Sequence, residues 1–157
     1  MPALVRIRED VHVHATAQAV LQRVLDLPTY DEWLAPAFRD YRADDEGCSF
    51  DLALPGRVEH ARLRRGGVEA GAFSLVRDGA NASGAGALDS IVWAMHSESA
   101  REVHLTAEMA YVPAGGFGAI LETTVHRPNR TQALRDSLWA LKQLLESAAG
   151  EARATRA

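Results

Sequence analysis

A short stretch near the N-terminus, LPTYDEWLAP at residues 27–36, contains residue types that could do acid–base chemistry or hold a ligand. The Asp31-Glu32 pair offers two adjacent carboxylates, and a general acid or base must be positioned against its substrate. A proline near the start of the stretch suits the first position of a short helical turn. In that phase Tyr30 and Trp33 share one side, and the carboxylates point elsewhere. The spacing therefore predicts an inward aromatic pair, either a plug or a ligand platform at Trp33.

Two histidines, His12 and His14, raise the question of a metal site. They belong to an alternating run at residues 4–14, LVRIREDVHVH, which is typical of a half-buried strand. Alternate strand positions point the same way, so both imidazoles share the polar face. No third ligand stands at a telling spacing. The pattern favours a solvated strand face, and we predict no metal and no cofactor.

The run at residues 57–65 carries the other polar candidates, and its periodicity allows two orientations. Either Glu59 faces inward with Ala61 and Leu63, or His60 and Arg62 face inward with Val58. Glu59, His60 and Arg62 are therefore candidate polar groups of an interior site, with Tyr111 and His126 as further acid–base candidates. Because no nucleophile motif or phosphate-binding glycine loop is present, no catalytic residue is assigned.

Length and composition restrict the class of protein. The chain has 157 residues, of which 47% are hydrophobic, and this suits a single domain at residues 1–150 with a frayed tail at 151–157. A net charge of −4 argues against a nucleic-acid partner. The N-terminus lacks the apolar stretch of a secretory signal, and no run reaches the roughly 20 apolar residues of a membrane span. We predict a soluble, cytoplasmic protein.

The periodicity predicts an α+β fold. A helix should begin at Thr16, and a short helical turn should cover residues 28–35. Glycines 66 and 67 predict a two-residue hairpin turn between extended runs. The later elements follow by pattern: strands at 48–54, 57–65, 68–77, 89–97 and 102–112, a flexible loop at 79–87, and a helical C-terminal third ending near Gly150. Pro128 leaves open one kinked helix or two separate helices.

Three segments resemble the START-like superfamily, also called SRPBCC. They are VHVHATAQAVLQRVLDLPTYDEWLAP (11–36), the strand with Ile91 and Trp93, and YVPAGGFGAILE (111–122) leading into ALRDSLWALKQLLE (133–146). The order is similar to that of the polyketide cyclase/dehydrase and lipid-transport branch. Ala17 stands where that branch often has proline, and Ala19-Val20 where it often has a valine–tryptophan pair. The resemblance implies a helix-grip fold: a curved antiparallel sheet wrapped around a long C-terminal helix, with two short helices after the first strand.

The resemblance also implies a cavity between the sheet and the last helix. With the strand and helix phases above, the expected lining is almost wholly apolar: Trp33, Phe50, Leu52, Trp93, Met95, Leu105, Met109, Tyr111, Phe117, Leu121, Leu134, Leu138 and Leu141. Ile120 is expected on the same inward stripe as Phe117. Such a lining suits a small ligand site.

Three functions are compatible with this expectation. The first is binding or transport of a hydrophobic small molecule such as a lipid, an isoprenoid or a polyketide-like aromatic compound. The second is a cyclase, aromatase or dehydratase acting on a polyketide-like substrate. The third is a protein-interaction module, in which an exposed apolar patch near Trp139 or the loop 79–87 would form the contact, with a homodimer as one form of it.

Overall fold

The computed structural model describes residues 3–79, 88–113 and 115–155, and within them seven strands form one antiparallel sheet. Along the chain the elements are β1 (Val5–Val13), α1 (Ala17–Leu25), a 3₁₀ helix (Leu27–Glu32), β2 (Phe38–Ala43), β3 (Gly47–Leu54), β4 (Arg57–Glu69), β5 (Ala72–Arg77), β6 (Leu88–Ser99), β7 (Glu102–Tyr111), α2 (Phe117–Leu121), a π-helical segment (Glu122–His126) and α3 (Arg127–Thr155). The strand order is β1-β7-β6-β5-β4-β3-β2. The predicted α+β, helix-grip class is confirmed. Of the predicted loop 79–87, Gly79 alone lies within the described residues.

The first strand and helix form where the sequence pattern places them. In β1 the side chains of Val11 and Val13 are buried, and the alternating residues face outward. The Thr16 side-chain oxygen accepts a hydrogen bond from the Ala19 amide at 3.1 Å, which caps the start of α1. The helix ends at Leu25, three residues before Pro28. Local chemistry is sufficient to define this part of the fold.

Strand β2 was not predicted, and its backbone explains the omission. A register shift separates Arg39 from Arg42, and Asp40 adopts a positive φ of 52°. A bulge of this kind inserts an extra residue and breaks the two-residue alternation that identifies a strand.

The predicted hairpin turn at Gly66 and Gly67 is wrong. Both glycines lie inside β4, at a register shift between Arg65 and Val68. The turn is formed instead by Ala70 and Gly71, whose φ angles are 50° and 78°. Positive φ at both central residues defines the tight hairpin turn, and there Gly71 is the residue suited to it. Gly66 is needed for a different reason, because a Cβ atom there would lie 2.3 Å from Ser74 Oγ and 2.9 Å from the Ser74 carbonyl oxygen.

A pair of alanine substitutions tests this placement. Gly66→Ala should lower the free energy of unfolding by about 1–3 kcal/mol, because the added methyl group displaces the backbone of the neighbouring strand. Gly67→Ala is the matched control, since no atom lies within 4 Å of a Cβ atom at that position. Denaturant unfolding of the two variants measures the difference. Equal stability of both would contradict the close approach of β5 to Gly66.

The C-terminal third is helical from Phe117 to Thr155, with a widened π segment in place of a break. The Arg127 amide donates to the Glu122 carbonyl, five residues back. This wider turn lies just before Pro128, which has no amide hydrogen to continue the regular ladder. The expected stop at Gly150 is wrong, because α3 continues to Thr155, although residues 151–155 are exposed. Among the described residues, no helix combines the length and apolarity needed to cross a bilayer.

An aromatic cluster joins the 3₁₀ helix to the sheet. The ring centroids of Tyr30 and Trp33 lie 4.5 Å apart, and those of Trp33 and Trp93 lie 5.4 Å apart. The Tyr30 hydroxyl donates to the Val24 carbonyl at the end of α1. Trp33 is 1% exposed. The predicted inward aromatic pair is therefore confirmed, and contact of Trp33 with a ligand stays a prediction.

Candidate functional site

Most of the apolar residues predicted to line a cavity lie in the core between sheet and helix. The buried members are Trp33, Phe50, Leu52, Trp93, Leu105, Met109, Tyr111, Leu134, Leu138 and Leu141, and Met95 is partly buried against them. Their inward position follows from strand alternation and from the α3 stripe. Contact with a ligand stays a prediction for this set.

The predicted inward position of Phe117 and Leu121 is wrong. Phe117 is 93% exposed, Ile120 62% and Leu121 52%. At the same end of the helix, Glu122 and His126 are buried. The prediction assumed that the apolar stripe of a helix faces the core. Here the apolar side faces outward, and the inward side is polar because it meets polar partners on the sheet.

The orientation of the 57–65 strand is now decided. Ala61 and Leu63 are buried, and Glu59 shares their side with its carboxylate 9% exposed. His60 and Arg62 point outward, with side chains 81% and 75% exposed. The prediction of His60 and Arg62 as possible interior polar groups is therefore wrong. Glu59 is the member of the predicted trio that enters the interior.

Glu59 meets Arg130, the centre of what we call the arginine cluster: Arg57, Glu59, Tyr111, Glu122 and Arg130. The Arg130 side chain is 0% exposed, and its Nη2 donates to Glu59 Oε2 at 2.5 Å. Arg57 Nε lies 3.0 Å from the same carboxylate oxygen. The Arg130 guanidinium carbon lies 4.0 Å from the centre of the Tyr111 ring, an arrangement in which the ring face attracts the cation. Arg130 thus connects α3 to both β4 and β7.

Tyr111 and Glu122 form the second half of the arginine cluster. The Tyr111 hydroxyl donates a hydrogen bond to Glu122 Oε1. Burial of the phenol, followed by its hydrogen bond to this carboxylate, raises the pKa of Tyr111 to about 12. The phenol is therefore protonated at neutral pH and remains a donor. Glu122 Oε1 lies 4.0 Å from Arg130 Nε, which is too long for a hydrogen bond but close enough for charge attraction.

Several buried polar atoms of this region have no hydrogen-bond partner among the described residues. They are Arg130 Nε and Nη1, Glu59 Oε1, Glu122 Oε2, His126 Nδ1 and Arg127 Nε. A buried polar atom without a partner is costly, so water or a ligand is the usual explanation. The set contains guanidinium donors as well as carboxylate acceptors. It can therefore bind an oxygen-bearing group, and Tyr111 and Glu122 supply a proton donor and acceptor beside it.

Arg130 and Glu122 were not predicted as site residues, although the sequence contains a signal for them. Glu122, His126 and Arg130 continue the buried Leu134–Leu138 stripe at steps of four residues. Three polar residues on the inward line of an otherwise apolar helix indicate an interior polar site. The apolar side chains of Phe117, Ile120 and Leu121 conceal this signal, because apolarity alone indicates the opposite face of the helix as the inward one.

Two pockets among the described residues lie at the edge of the sheet and beside the last helix. One of about 550 Å³ is bordered by strands β2, β3 and β4, and one of about 500 Å³ lies between the ends of β1 and α3. Of the apolar residues predicted to line a cavity, Phe50 borders a further pocket on β2–β4, and the others border none of these three.

The architecture is similar to that of several solved structures. An aromatase/cyclase, Zhui, from a Streptomyces species aligns over 92% of this chain and 94% of its own, with a TM-score of 0.70 and 15% identity. A START superfamily protein from Mycobacterium smegmatis aligns over 93% of this chain and 97% of its own, with a TM-score of 0.58 and 13% identity. The chain has the START-like, helix-grip fold.

A third similar structure is the di-domain aromatase/cyclase StfQ from the steffimycin biosynthetic pathway. It aligns over 94% of this chain and 52% of its own, with a TM-score of 0.61 and 13% identity. No protein-family model matches the sequence, and no curated protein matches it. At these identities the START-like fold is shared, while function has to be argued from the chain's own residues.

Proposed function

We propose that this START-like protein binds a hydrophobic small molecule that carries an acidic or oxygen-rich end. The observation that carries the proposal is the fully buried Arg130, whose Nε and Nη1 have no hydrogen-bond partner among the described residues. A carboxylate, enolate or phenolate of the ligand would accept from those groups, and charge-assisted hydrogen bonds of this kind are the strong ones. Its apolar body would lie against core residues such as Trp93 and Leu138.

The balance of charge around Arg130 favours an anion. Arg57 and Arg130 both contact Glu59, and Arg127 lies beside the Tyr111 hydroxyl. Among the residues that the structure describes at this site, three arginines stand against two glutamates, Glu59 and Glu122. One negative group of a ligand would neutralise the excess, whereas a cationic ligand would add to it.

The exposed apolar residues at the start of the last helix support a mouth at this end. Phe117, Ile120 and Leu121 immediately precede Glu122 along the chain. Exposed apolar side chains grouped in this way often mark a ligand-binding or interaction surface. An apolar molecule arriving there would reach the arginine cluster within a turn of helix.

Two fluorescent probes test the proposal. Anilinonaphthalene sulfonate has an aromatic body with an anionic group, and Nile red is apolar and neutral. We expect the protein to bind the anionic probe saturably, one per chain, and Arg130→Met to weaken that binding at least about tenfold, the effect of losing roughly 1.4 kcal/mol. Nile red affinity should change much less, because it makes no charge contact with the guanidinium.

Arg135→Met is the matched control, since this arginine is on the same helix with its side chain 47% exposed. Circular dichroism establishes that each variant is folded before titration. Equal loss of both probes in folded Arg130→Met, or no saturable binding by the unsubstituted protein, would overturn the proposal. Mass spectrometry of protein isolated from its own host would then identify the bound molecule.

A second candidate function is acid–base catalysis on a polyketide-like substrate. The observation in its favour is the Tyr111–Glu122 hydrogen bond beside Arg130, since catalysis of this kind requires a donor and an acceptor near one point. Two structurally similar proteins are aromatase/cyclases. The Tyr111→Phe variant distinguishes the two functions. If the protein is a carrier, the variant keeps probe binding, and there is no turnover to lose. If the protein is an enzyme, the variant loses turnover of a poly-β-ketone thioester mimic.

A protein-interaction role has less support. Trp139 is 51% exposed, with Lys142 Nζ 5.8 Å from its ring centre. The loop 79–87, the other predicted contact, lies outside the described residues except for Gly79. A homodimer through Trp139 stays a prediction.

A further inference from the structure

Four of the six histidines lie together on the outer face of the sheet, at one end of β1, β7 and β6. His12 is directly opposite His104, and His104 is directly opposite His96. The neighbouring outward positions two residues along each strand carry His14, Glu102 and Glu98. Three adjacent strands therefore present two rows of metal-ligating side chains. This arrangement requires the β1–β7–β6 order, which brings together residues about 90 positions apart in the chain.

We propose that His12, His104 and Glu98 bind one divalent first-row transition metal ion. His12 Nδ1 lies 3.4 Å from Glu98 Oε2, and His104 Nδ1 lies 3.7 Å from Glu98 Oε1. One ligand atom from each of the three residues lies within 4.8 Å of the others. Metal–ligand bonds of about 2.0–2.1 Å at tetrahedral angles place ligand atoms ~3.3 Å apart, so small side-chain movements complete the site.

Asp10 gives His104 the orientation that a metal ligand needs. Its Oδ2 lies 2.7 Å from His104 Nε2, on the opposite side of the ring from Glu98. With the ion bound, Asp10 would accept the Nε2 hydrogen, and the Nδ1 lone pair would then be directed at the proposed ion. A carboxylate holding the second nitrogen of a ligating imidazole is a common feature of metal sites.

The types of ligand atom in the proposed site indicate which metal ions it would bind. Two imidazoles and one carboxylate suit zinc, nickel or copper, whereas calcium and magnesium prefer a shell of oxygen ligands. The second group, His12, His14 and Glu102, shares His12 with the first, so a single ion is expected. Its contacts are longer: His12 Nε2 is 3.9 Å and His14 Nδ1 3.6 Å from Glu102.

This site is separate from the arginine cluster. Val103 and Leu105 on β7 flank His104 and are fully buried, so their side of the sheet faces the core and the imidazole faces outward. The main-chain carbonyl of His12 accepts from Lys142 on α3, which anchors that strand to the helix. A bound ion would link β1, β7 and β6 on the outside.

The test is calorimetric titration of chelator-treated, tag-free protein with Zn²⁺. We expect one ion per chain, with affinity lowered at least about tenfold in His12→Ala and in His104→Ala. Asp10→Asn, which touches no ion, should weaken binding roughly 10–100-fold. At a Zn²⁺ concentration about 100 times the dissociation constant, the thermal midpoint should rise by roughly 5–10 °C.

His60→Ala is the matched control, because His60 is an exposed histidine 2.5 Å from a carboxylate, Asp51, on another strand. Its affinity for Zn²⁺ should equal that of the unsubstituted protein. Unchanged binding in His12→Ala and His104→Ala, or no saturable binding at all, would overturn the proposal and leave a solvated network of ion pairs. Loss in His14→Ala with none in His104→Ala would overturn the assignment of ligands.

Discussion

Arg130→Met is expected to lower the free energy of unfolding by about 3–5 kcal/mol. The methionine fills much of the space but removes the fully buried cation beside Glu59, whose carboxylate is 9% exposed and keeps the partly exposed Arg57 as a partner. Glu122, 2% exposed, loses the nearby positive charge as well. Removing one member of a buried ion pair leaves an uncompensated charge, and this is among the largest effects of a single substitution. Denaturant unfolding followed by circular dichroism measures the loss.

The double variant Glu59→Leu with Arg130→Met separates the charge effect from packing. Removing both charges should recover much of the stability, because apolar replacements of a buried pair are often neutral. Arg135→Met, at a pair whose arginine side chain is 47% exposed and whose Glu9 side chain is 17% exposed, should cost clearly less than Arg130→Met. A double variant no more stable than Arg130→Met alone would contradict the buried pairing.

Trp33→Ala is expected to cost about 3–5 kcal/mol as a truncation in the core. The indole is 1% exposed and packs between Tyr30 and Trp93, at centroid distances of 4.5 and 5.4 Å. Deleting it removes buried apolar area and leaves a cavity that the neighbouring rings cannot fill. The midpoint and slope of denaturant unfolding give the change.

Trp139→Ala is the control for indole removal, since that side chain is 51% exposed. Its effect should stay within ~0.5 kcal/mol, as is usual for surface substitutions. A loss below about 1 kcal/mol in Trp33→Ala would mean that the ring is outside the packed core. Together the Arg130 and Trp33 variants measure the two parts of the interior, one held by charge and the other by aromatic packing.

The last helix connects the START-like fold to the arginine cluster, because it carries both apolar core residues and the polar residues of its earlier turns. The helix covers the concave side of the sheet with leucines in its later turns and with Glu122, His126 and Arg130 in its earlier turns. Burying charge brings a fold little net stability compared with apolar packing. The buried atoms of the cluster that lack a partner among the described residues therefore support the proposal that it binds a polar group.

The sequence pattern was sufficient to predict the structure where residues close together along the chain supply the interactions. The alternation of β1, the Thr16 cap and the inward Tyr30–Trp33 pair depend on residues a few positions apart, and the sequence predicted each of them. These features depend on hydrogen bonds and side-chain periodicity that repeat locally. The helix-grip fold was implied instead by the resemblance of the segments at 11–36, 91–93 and 111–146 to the START-like superfamily.

Tertiary structure decided the rest, because the deciding partners are distant in sequence. Glu59 and Arg130 are 71 residues apart, so the 57–65 strand alone cannot reveal which side meets a cation. The residues of the proposed metal site, two histidines and one glutamate, come from three strands and become neighbours only because β7 lies between β1 and β6. Apolarity indicated which face of a strand or helix lies inward, except where polar groups pair with buried partners. At those positions the energy of pairing, rather than hydrophobic periodicity, determined the orientation.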